Sequence, residues 1–215
     1  RMIFESASKD RKKSGAALLS TKSGRLESGG VNVRYVNKIM HHKYLIVDGP
    51  RDVPSRAYTA KFATGSGNWS IGAWSRYDEN TFFQEGDAET VLRYQREFNL
   101  LWAHSKDLVA VEGLVYELST YEITDEEIAS VDTNEVDTFF TSDNFNVSGT
   151  RFSKTSRATI SDAMVAAIDG ATTSIHIASG HLRSYKIAHA LINKKAANPS
   201  IDSTASYNQS SSRGM

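Results

Sequence analysis

The sequence predicts an α/β fold, and three patterns along its 215 residues indicate it. Four runs rich in β-branched and aromatic residues lie between residues 31 and 86, each bounded by turn-forming residues. A stretch with helical periodicity follows at 87–104, and a helix, strand and helix pattern occupies 159–200. Because strand-like and helix-like stretches alternate, we expect the two kinds of element to pack against each other in layers.

The four β-rich runs predict a sheet, and the stretch that follows predicts a helix packed on it. In DAETVLRYQREFNLLWAH (87–104), five apolar residues recur at steps of three and four residues, and acidic residues stand at the start. The apolar positions of this helix are Val91, Tyr94, Phe98, Leu101 and Trp102. The runs themselves are VNVRYV from residue 31, IMHHKYLIVDG from 39, AYTAKFATGSGNWS from 57 and NTFFQEG from 80.

Composition divides the chain into four segments. Residues 1–106 form a first unit, whose polar start carries a basic run at 9–13 that predicts a solvated helix face or loop. Residues 107–158 are rich in acids and predict an irregular connection. Residues 159–200 predict a helix ending at Gly170, the strand SIHIAS and a second helix ending before Pro199. Residues 201–215 are small and polar, and we expect a disordered tail.

The overall composition excludes some classes of site. The 25 basic and 25 acidic residues balance, so any site for phosphate must be local rather than a property of the whole surface. The chain has no cysteine, which excludes disulfides and cysteine-rich zinc sites. No run of about 18 apolar residues occurs. We therefore expect a soluble or peripheral protein without a transmembrane segment, and the sequence leaves its compartment open.

The stretch MHHKYLIVDG (40–49) places polar groups in a strand-like run. Alternate residues of a strand share a face, so His41 and Lys43 point to one side, while His42, Tyr44 and Asp48 point to the other. An imidazole with a pKa of about 6.5 is largely neutral near pH 7 and can attack phosphorus. The neighbouring ammonium can neutralise phosphate oxygens. Taken alone, this spacing is also typical of an ordinary strand end.

Two later stretches supply partners for such a site. In ATGSGNWS, Gly65 permits close backbone approach, and the Ser66 hydroxyl and Asn68 amide can bind phosphate oxygens. In YDENTFFQ, Glu79 begins the next strand beside Asn80, and its carboxylate can accept from the second ring nitrogen of the histidine. Taken alone, ATGSGNWS is typical of an ordinary turn, and Glu79 is typical of an acidic residue on the surface.

In this order the residues resemble the phospholipase D superfamily, whose signature is H-x-K-x4-D followed by G-S-x-N. The resemblance covers about 31–104 and implies a mixed β-sheet sandwiched between helices. It implies that His41 is the nucleophile or its partner, and that Glu79 orients it. Asp48 belongs to the motif, and its opposite strand parity fits a structural or pKa-setting task better than contact with phosphate. His42 occupies the variable position of the motif and faces away from His41, so we expect it to pack or to meet solvent. The phosphoryl-binding residues that the resemblance implies are Lys43, Ser66 and Asn68, with Gly65 and Asn80 beside them.

A weaker resemblance covers about 160–197, which is similar to the start of a second repeat in members with two repeats. No second H-x-K-x4-D follows it, and His176 and His181 lack the lysine partner and the downstream Gly-Ser-x-Asn. The family joins two motifs at one site, where one histidine is phosphorylated and the other moves the proton. The missing motif is thus expected from a longer chain, which we favour, or from a homodimer partner.

The resemblance implies a phosphodiesterase that works through a phosphohistidine without a metal or other cofactor. Phospholipid hydrolysis or headgroup transfer, of the phospholipase D or cardiolipin synthase type, is the leading expectation. Trp69 and Trp74 beside the phosphate loop favour it, although tryptophans are more often buried in a core. A nuclease of the same superfamily is the alternative, since nucleic acid is also a phosphodiester. A catalytically silent domain that binds phosphate or a partner is a third.

Overall fold

The computed structural model describes residues 1–5, 13–37, 40–51, 53–108, 122–133 and 137–207. The chain divides into two units, residues 1–138 with 146–154, and residues 139–145 with 155–215. The described structure is mixed α/β, which confirms the predicted fold class. Elements up to residue 129 are β1 (Met2–Glu5), α1 (Gly15–Leu19), α2 (Lys22–Ser28), β2 (Val33–Val36), β3 (Tyr44–Val47), a 3₁₀ helix (Pro54–Tyr58), β4 (Lys61–Gly65), α3 (Ile71–Ser75), β5 (Thr81–Glu85), α4 (Ala88–Ala103), β6 (Lys106–Asp107) and α5 (Asp125–Ala129).

The strands up to residue 107 form two sheets rather than the single predicted one. In one sheet, β2 pairs in parallel with β1 and antiparallel with β6. In the other, β3, β4 and β5 are antiparallel neighbours in that order. The polar start of the chain did not predict β1. Because β1 and β6 occupy both edges of β2, that strand has no edge left for β3.

The two faces of β3 differ as its alternation predicts. Tyr44 and Ile46 pack against the core, whereas Leu45 and Val47 are exposed. On the core side the Tyr44 and Tyr94 rings meet edge to face, with centroids 4.9 Å apart. Helix α4 therefore covers one face of this sheet. The fully buried members of this core are Ala57, Ala60, Phe62, Ala88, Val91, Leu92, Ile123 and Ile128.

Helix α4 confirms the predicted amphipathic helix at 87–104. Asp87 caps its start, since the carboxylate accepts from the Thr90 backbone N–H at 3.0 Å. Near its end Trp102 is 2% exposed, and the guanidinium groups of Arg1 and Arg34 each lie 5.4 Å from its ring centroid. With 16 residues it is the longest helix described, and none of the described helices is long and apolar enough to cross a bilayer.

The elements after residue 137 confirm the predicted helix, strand and helix and correct the predicted tail. Residues 202–207 form a strand that pairs in parallel with SIHIAS, so the expectation of disorder was wrong for them. The edge of the SIHIAS strand pairs with the backbone N–H and C=O groups of residues 202–207, and this pairing does not depend on their side chains. These elements are a 3₁₀ helix (Thr141–Asn144), β7 (Phe145–Ser148), β8 (Arg151–Lys154), α6 (Thr159–Gly170), β9 (Ser174–Ser179), α7 (Tyr185–Ala197) and β10 (Asp202–Tyr207).

Three other predictions concern segments that are described only in part. The connection expected at 107–158 contains α5 and the β7–β8 hairpin, so it is less irregular than predicted. Helix α5 begins with a capping box in which Thr124 and Glu127 bind each other's backbone N–H. Residues 109–121 and 134–136 of this connection lie outside the described residues. So do most of the basic run at 9–13 and the last part of the tail, residues 208–215.

We predict that Leu92→Ala lowers the free energy of unfolding by about 2–5 kcal/mol, because the change leaves a cavity in the α4 core. Leu92 is 1% exposed. Urea unfolding followed by the fluorescence of buried Trp102 measures the effect. Leu19→Ala is the matched control, since Leu19 is 38% exposed in α1 and its loss should change stability by about 0.5 kcal/mol at most. Equal losses in the two variants would contradict the assigned core.

Candidate active site

His41 and Lys43 are in direct contact. They lie in the segment that leads into β3, and the Lys43 Nζ is 2.6 Å from His41 Nδ1 and 2.7 Å from the His41 carbonyl oxygen. The structure thus brings together the pair that the H-x-K spacing predicts. An ammonium can only donate, so His41 Nδ1 is the acceptor and a neutral ring carries its proton on Nε2.

The environment of Lys43 opposes its charge. Burial lowers the pKa of Lys43 below its usual value, and the Glu79 carboxylate offsets part of this effect. The pair is thus a cation beside an imidazole, and the Glu79 carboxylate favours the charged form of the cation.

Ser66 connects the loop after β4 to the residues before β5. Its hydroxyl donates to Glu79 Oε2 at 2.5 Å and accepts from the Asn80 backbone N–H at 3.1 Å. The Ser66 backbone N–H in turn donates to the Asn80 carbonyl oxygen at 3.1 Å. The predicted residues Ser66, Glu79 and Asn80 are therefore held together. In the described part of the chain, Glu79 bonds to Ser66 rather than to His41, so its role in orienting His41 stays a prediction.

Gly65 is required by the contact between β4 and β5. A Cβ added there would lie 2.0 Å from the Asn80 carbonyl oxygen, far inside van der Waals contact. The close approach that a glycine permits here is thus to the neighbouring strand. It brings Ser66 within reach of Glu79 and Asn80.

Asn68 and Asp48 line a cleft of about 940 Å³ together with Lys43. The side chain of Asn68 is exposed, while its carbonyl oxygen accepts from the Trp74 indole Nε1–H and the Ser70 N–H, both at 2.7 Å. Asp48 is exposed at the end of β3 and has a φ of 55°, an uncommon conformation for a non-glycine residue. The charged groups of the cleft are basic in excess: Arg1, Lys43, Arg51 and Arg56 against Glu5 and Asp48.

Behind the pair lies a buried polar group that sequence reasoning missed. His42 faces away from His41, and its Nε2 lies 3.2 Å from Oε1 of Glu97, which is 3% exposed on α4. The His42 ring also meets the Tyr44 ring edge to face, with centroids 5.7 Å apart. The sequence contains a signal for this buried group, because Glu97 is an acid three residues after Tyr94 on the apolar stripe of the helix.

Tyr44 is held neutral in this environment. Burial raises its pKa well above the usual 10.0, and the Glu97 carboxylate and Tyr94 raise it further. His42, Tyr44 and Glu97 thus fix the inner side of the segment whose outer side carries His41 and Lys43. Among the described residues, no group of three or more histidine, aspartate or glutamate side chains is arranged to hold a metal ion.

We predict that Tyr44→Phe makes the protein less sensitive to alkali. An unfolded tyrosine ionises near pH 10 whereas folded Tyr44 does not, so the free energy of unfolding falls as the pH rises from about 10 towards the pKa of folded Tyr44. The variant lacks this fall. Urea unfolding from about pH 8 to about pH 11 measures both proteins.

The control for this pH series is Tyr58→Phe, because Tyr58 is 56% exposed. Lys43 makes the free energy of unfolding change with pH in the opposite direction, because a lysine with a lowered pKa adds stability as the pH rises to about 10.5. Lys43 is present in all three proteins, so its contribution is the same in each. The comparison between variants therefore isolates the contribution of Tyr44 to the pH dependence of stability. If Tyr44→Phe and Tyr58→Phe follow the same pH curve, the buried phenol has no such effect.

We predict that Gly65→Ala lowers the free energy of unfolding by about 1–3 kcal/mol, because its methyl group pushes β4 away from Asn80. Urea unfolding measures the loss. Gly180→Ala is the control, since a Cβ at Gly180 has no neighbour within 4 Å. A Gly65→Ala protein as stable as the control would disprove the close contact.

Comparison with known proteins gives a family match for the first part of the chain. Residues 1–102 match the family model described as "Cardiolipin synthase, PLD-like domain". No curated protein matches the chain. The matched range contains the whole site described above, and the match supports chemistry of the phosphodiesterase type in general. Residues 1–102 are thus similar to a phospholipase D-like domain, and the match supports membership of the phospholipase D superfamily.

Proposed function

We propose that this protein cleaves phosphodiesters through a covalent phosphohistidine on His41 and that its substrates are phospholipids. The observation that carries the proposal is the contact of His41 Nδ1 with the Lys43 ammonium at 2.6 Å. A nucleophile and a phosphate-binding cation at this distance suit attack on phosphorus. Their position in a domain that resembles cardiolipin synthase favours lipid substrates, with either hydrolysis or phosphatidyl transfer as the outcome.

In the first step, the substrate phosphate draws Lys43 away from His41, and the ammonium binds a phosphoryl oxygen. The Ser66 hydroxyl and the Asn68 amide donate to the phosphoryl oxygens, with Gly65 and Asn80 keeping Ser66 in place. The ring proton, which the contact with Lys43 holds on Nε2, moves to Nδ1 by exchange with solvent. Glu79, released from Ser66, accepts a hydrogen bond from Nδ1–H, and Nε2 has a lone pair. That nitrogen bonds to phosphorus as the bond from phosphorus to the leaving oxygen breaks.

The second step returns the enzyme to its starting state. The leaving oxygen takes a proton from a general acid, and water or an alcohol then attacks the phosphohistidine and frees His41. The general acid is the histidine of a second motif, carried by a longer chain or by a homodimer partner. A general acid or base supplies about 10²- to 10⁴-fold in rate. By sequence alternation Asp48 has the opposite parity to His41, which suits a structural or pKa-setting role.

We predict that His41→Ala lowers the hydrolysis of a chromogenic phosphodiester at least about 10²-fold, because the nucleophile is lost. Wild type is expected to turn over equally with and without a chelator. His176→Ala is the matched control, since His176 lies on β9 and bonds to Thr204, outside the proposed machinery. Its rate should equal that of wild type.

The same preparations distinguish the candidate functions. Cleavage of a short-chain phosphatidylglycerol in preference to an oligonucleotide supports the lipid substrate, and the reverse preference identifies a nuclease. Specific activity that rises with protein concentration indicates that two copies pair their motifs. If wild type and His41→Ala are equally inert on all three substrates, this chain alone does not cleave phosphodiesters, and it is either a fragment of a longer two-motif enzyme or a silent phosphate-binding domain.

A further inference from the structure

Residues 69–77, beside the candidate active site, expose four large apolar side chains. Ile71 is 84% exposed, Trp74 is 72%, Tyr77 is 65% and Trp69 is 56%. Single exposed apolar residues are common on protein surfaces, whereas a contiguous group usually marks a surface that meets a partner. The aromatic surface, as we call these four residues, is therefore a candidate for docking.

The aromatic surface is built on ordered backbone. Ser70 caps α3 by accepting from the Ala73 backbone N–H, and Ala73 is 4% exposed. The indole of Trp74 donates to the Asn68 carbonyl oxygen at 2.7 Å, which fixes one edge of the ring. The Tyr77 ring lies against Gly72, where an added Cβ would be 3.5 Å from ring atoms. The rings are thus held in fixed positions while most of their area faces solvent.

The aromatic surface is continuous with the cleft of the candidate active site. Trp69 lines the cleft together with Asn68 and Lys43. The Trp74 indole is bonded to the Asn68 backbone, so a second residue of the aromatic surface contacts a residue that lines the cleft. A partner bound to the aromatic surface would therefore lie beside the cleft.

We propose that the aromatic surface inserts into the headgroup region of a bilayer that contains anionic phospholipids. Tryptophan and tyrosine favour this region because one end of each ring is apolar and the other forms hydrogen bonds. Ile71, the most exposed of the four, would enter the acyl chains.

The charges near the aromatic surface favour lipid over a second copy of the chain. Arg76 follows α3 directly and is exposed, and Arg51 and Arg56 line the adjoining cleft with Lys43. These cations complement anionic headgroups, and a like surface on a second copy would repel them. The inference rests on the proposed function in one respect, since docking delivers a lipid phosphate to Lys43. The docking itself is measurable without turnover.

Tryptophan fluorescence tests the insertion directly. The chain has three tryptophans, of which Trp102 is buried. Trp102→Phe leaves only the two of the aromatic surface, and the double variant Trp69→Phe with Trp74→Phe leaves only Trp102. Vesicles of phosphatidylcholine and phosphatidylglycerol with brominated acyl chains are expected to shift the emission of the first variant to the blue and quench it. The second variant should show neither effect.

A matched pair of isoleucines tests the same proposal without altering a tryptophan. Ile71→Ser is expected to lower vesicle binding about tenfold in a sedimentation assay, because it removes one inserted apolar side chain. Ile192→Ser is the control, since Ile192 is 64% exposed on α7 and should bind as wild type does. Because both residues are exposed, neither change should prevent folding.

The outcomes separate this inference from the proposed function. If wild type binds vesicles through Ile71 but cleaves no phospholipid, the result supports docking and contradicts the proposal that phospholipids are the substrates. Cleavage of a soluble short-chain phospholipid without vesicle binding overturns docking and leaves the proposed function standing. Equal vesicle binding by Ile71→Ser and Ile192→Ser also overturns docking. So does a loss of dimers in Ile71→Ser, measured by sedimentation equilibrium, because the occupant would then be a second copy.

Discussion

The candidate site depends on the contact between the Gly65 and Asn80 backbones. These residues are 15 positions apart in sequence, and the absence of a Cβ lets the ends of β4 and β5 meet without a clash. Ser66 follows from this contact, because its hydroxyl and backbone N–H both bind the 79–80 segment. Glu79, which Ser66 holds, raises the pKa of Lys43 and so opposes the effect of burial. One backbone contact therefore joins the second and third parts of the motif.

The segment that carries the first part of the motif, β3 and the residues before it, has two sides with different surroundings. Its inner side is anchored to α4 through His42, Glu97 and Tyr44, a buried polar arrangement beneath the pair. Its outer side leads His41 and Lys43 to the surface. A buried carboxylate with a hydrogen-bonded imidazole is costly to disturb, because either group alone would be left buried without its partner. The inner side thus limits movement of the backbone from which His41 projects.

Local patterns predicted the fold where the evidence lies within one element. The spacing of Val91 and Leu101 predicted α4 closely, and the alternation in 41–48 predicted which residues share a face. Partnerships distant in sequence were not predictable in this way. Strand β1 pairs with a strand about 30 residues away, and β10 is ordered by its pairing with β9 despite a polar composition. Glu97 was visible as an acid on an apolar stripe, but only the structure identifies His42 as its partner.

For the candidate site, the sequence predicted which residues lie together, whereas the structure shows which pairs of them form hydrogen bonds. Lys43 donates to His41, and Ser66 donates to Glu79, so the two groups that would bind phosphate satisfy the two groups that would activate the nucleophile. A phosphate that attracts both donors releases His41 Nδ1 and the Glu79 carboxylate at the same moment. Once the ring proton has exchanged from Nε2 to Nδ1, those two groups can bond to each other, and the imidazole lone pair lies on Nε2. The observed arrangement thus differs from the one proposed for catalysis by an exchange of hydrogen bonds and by the position of one ring proton.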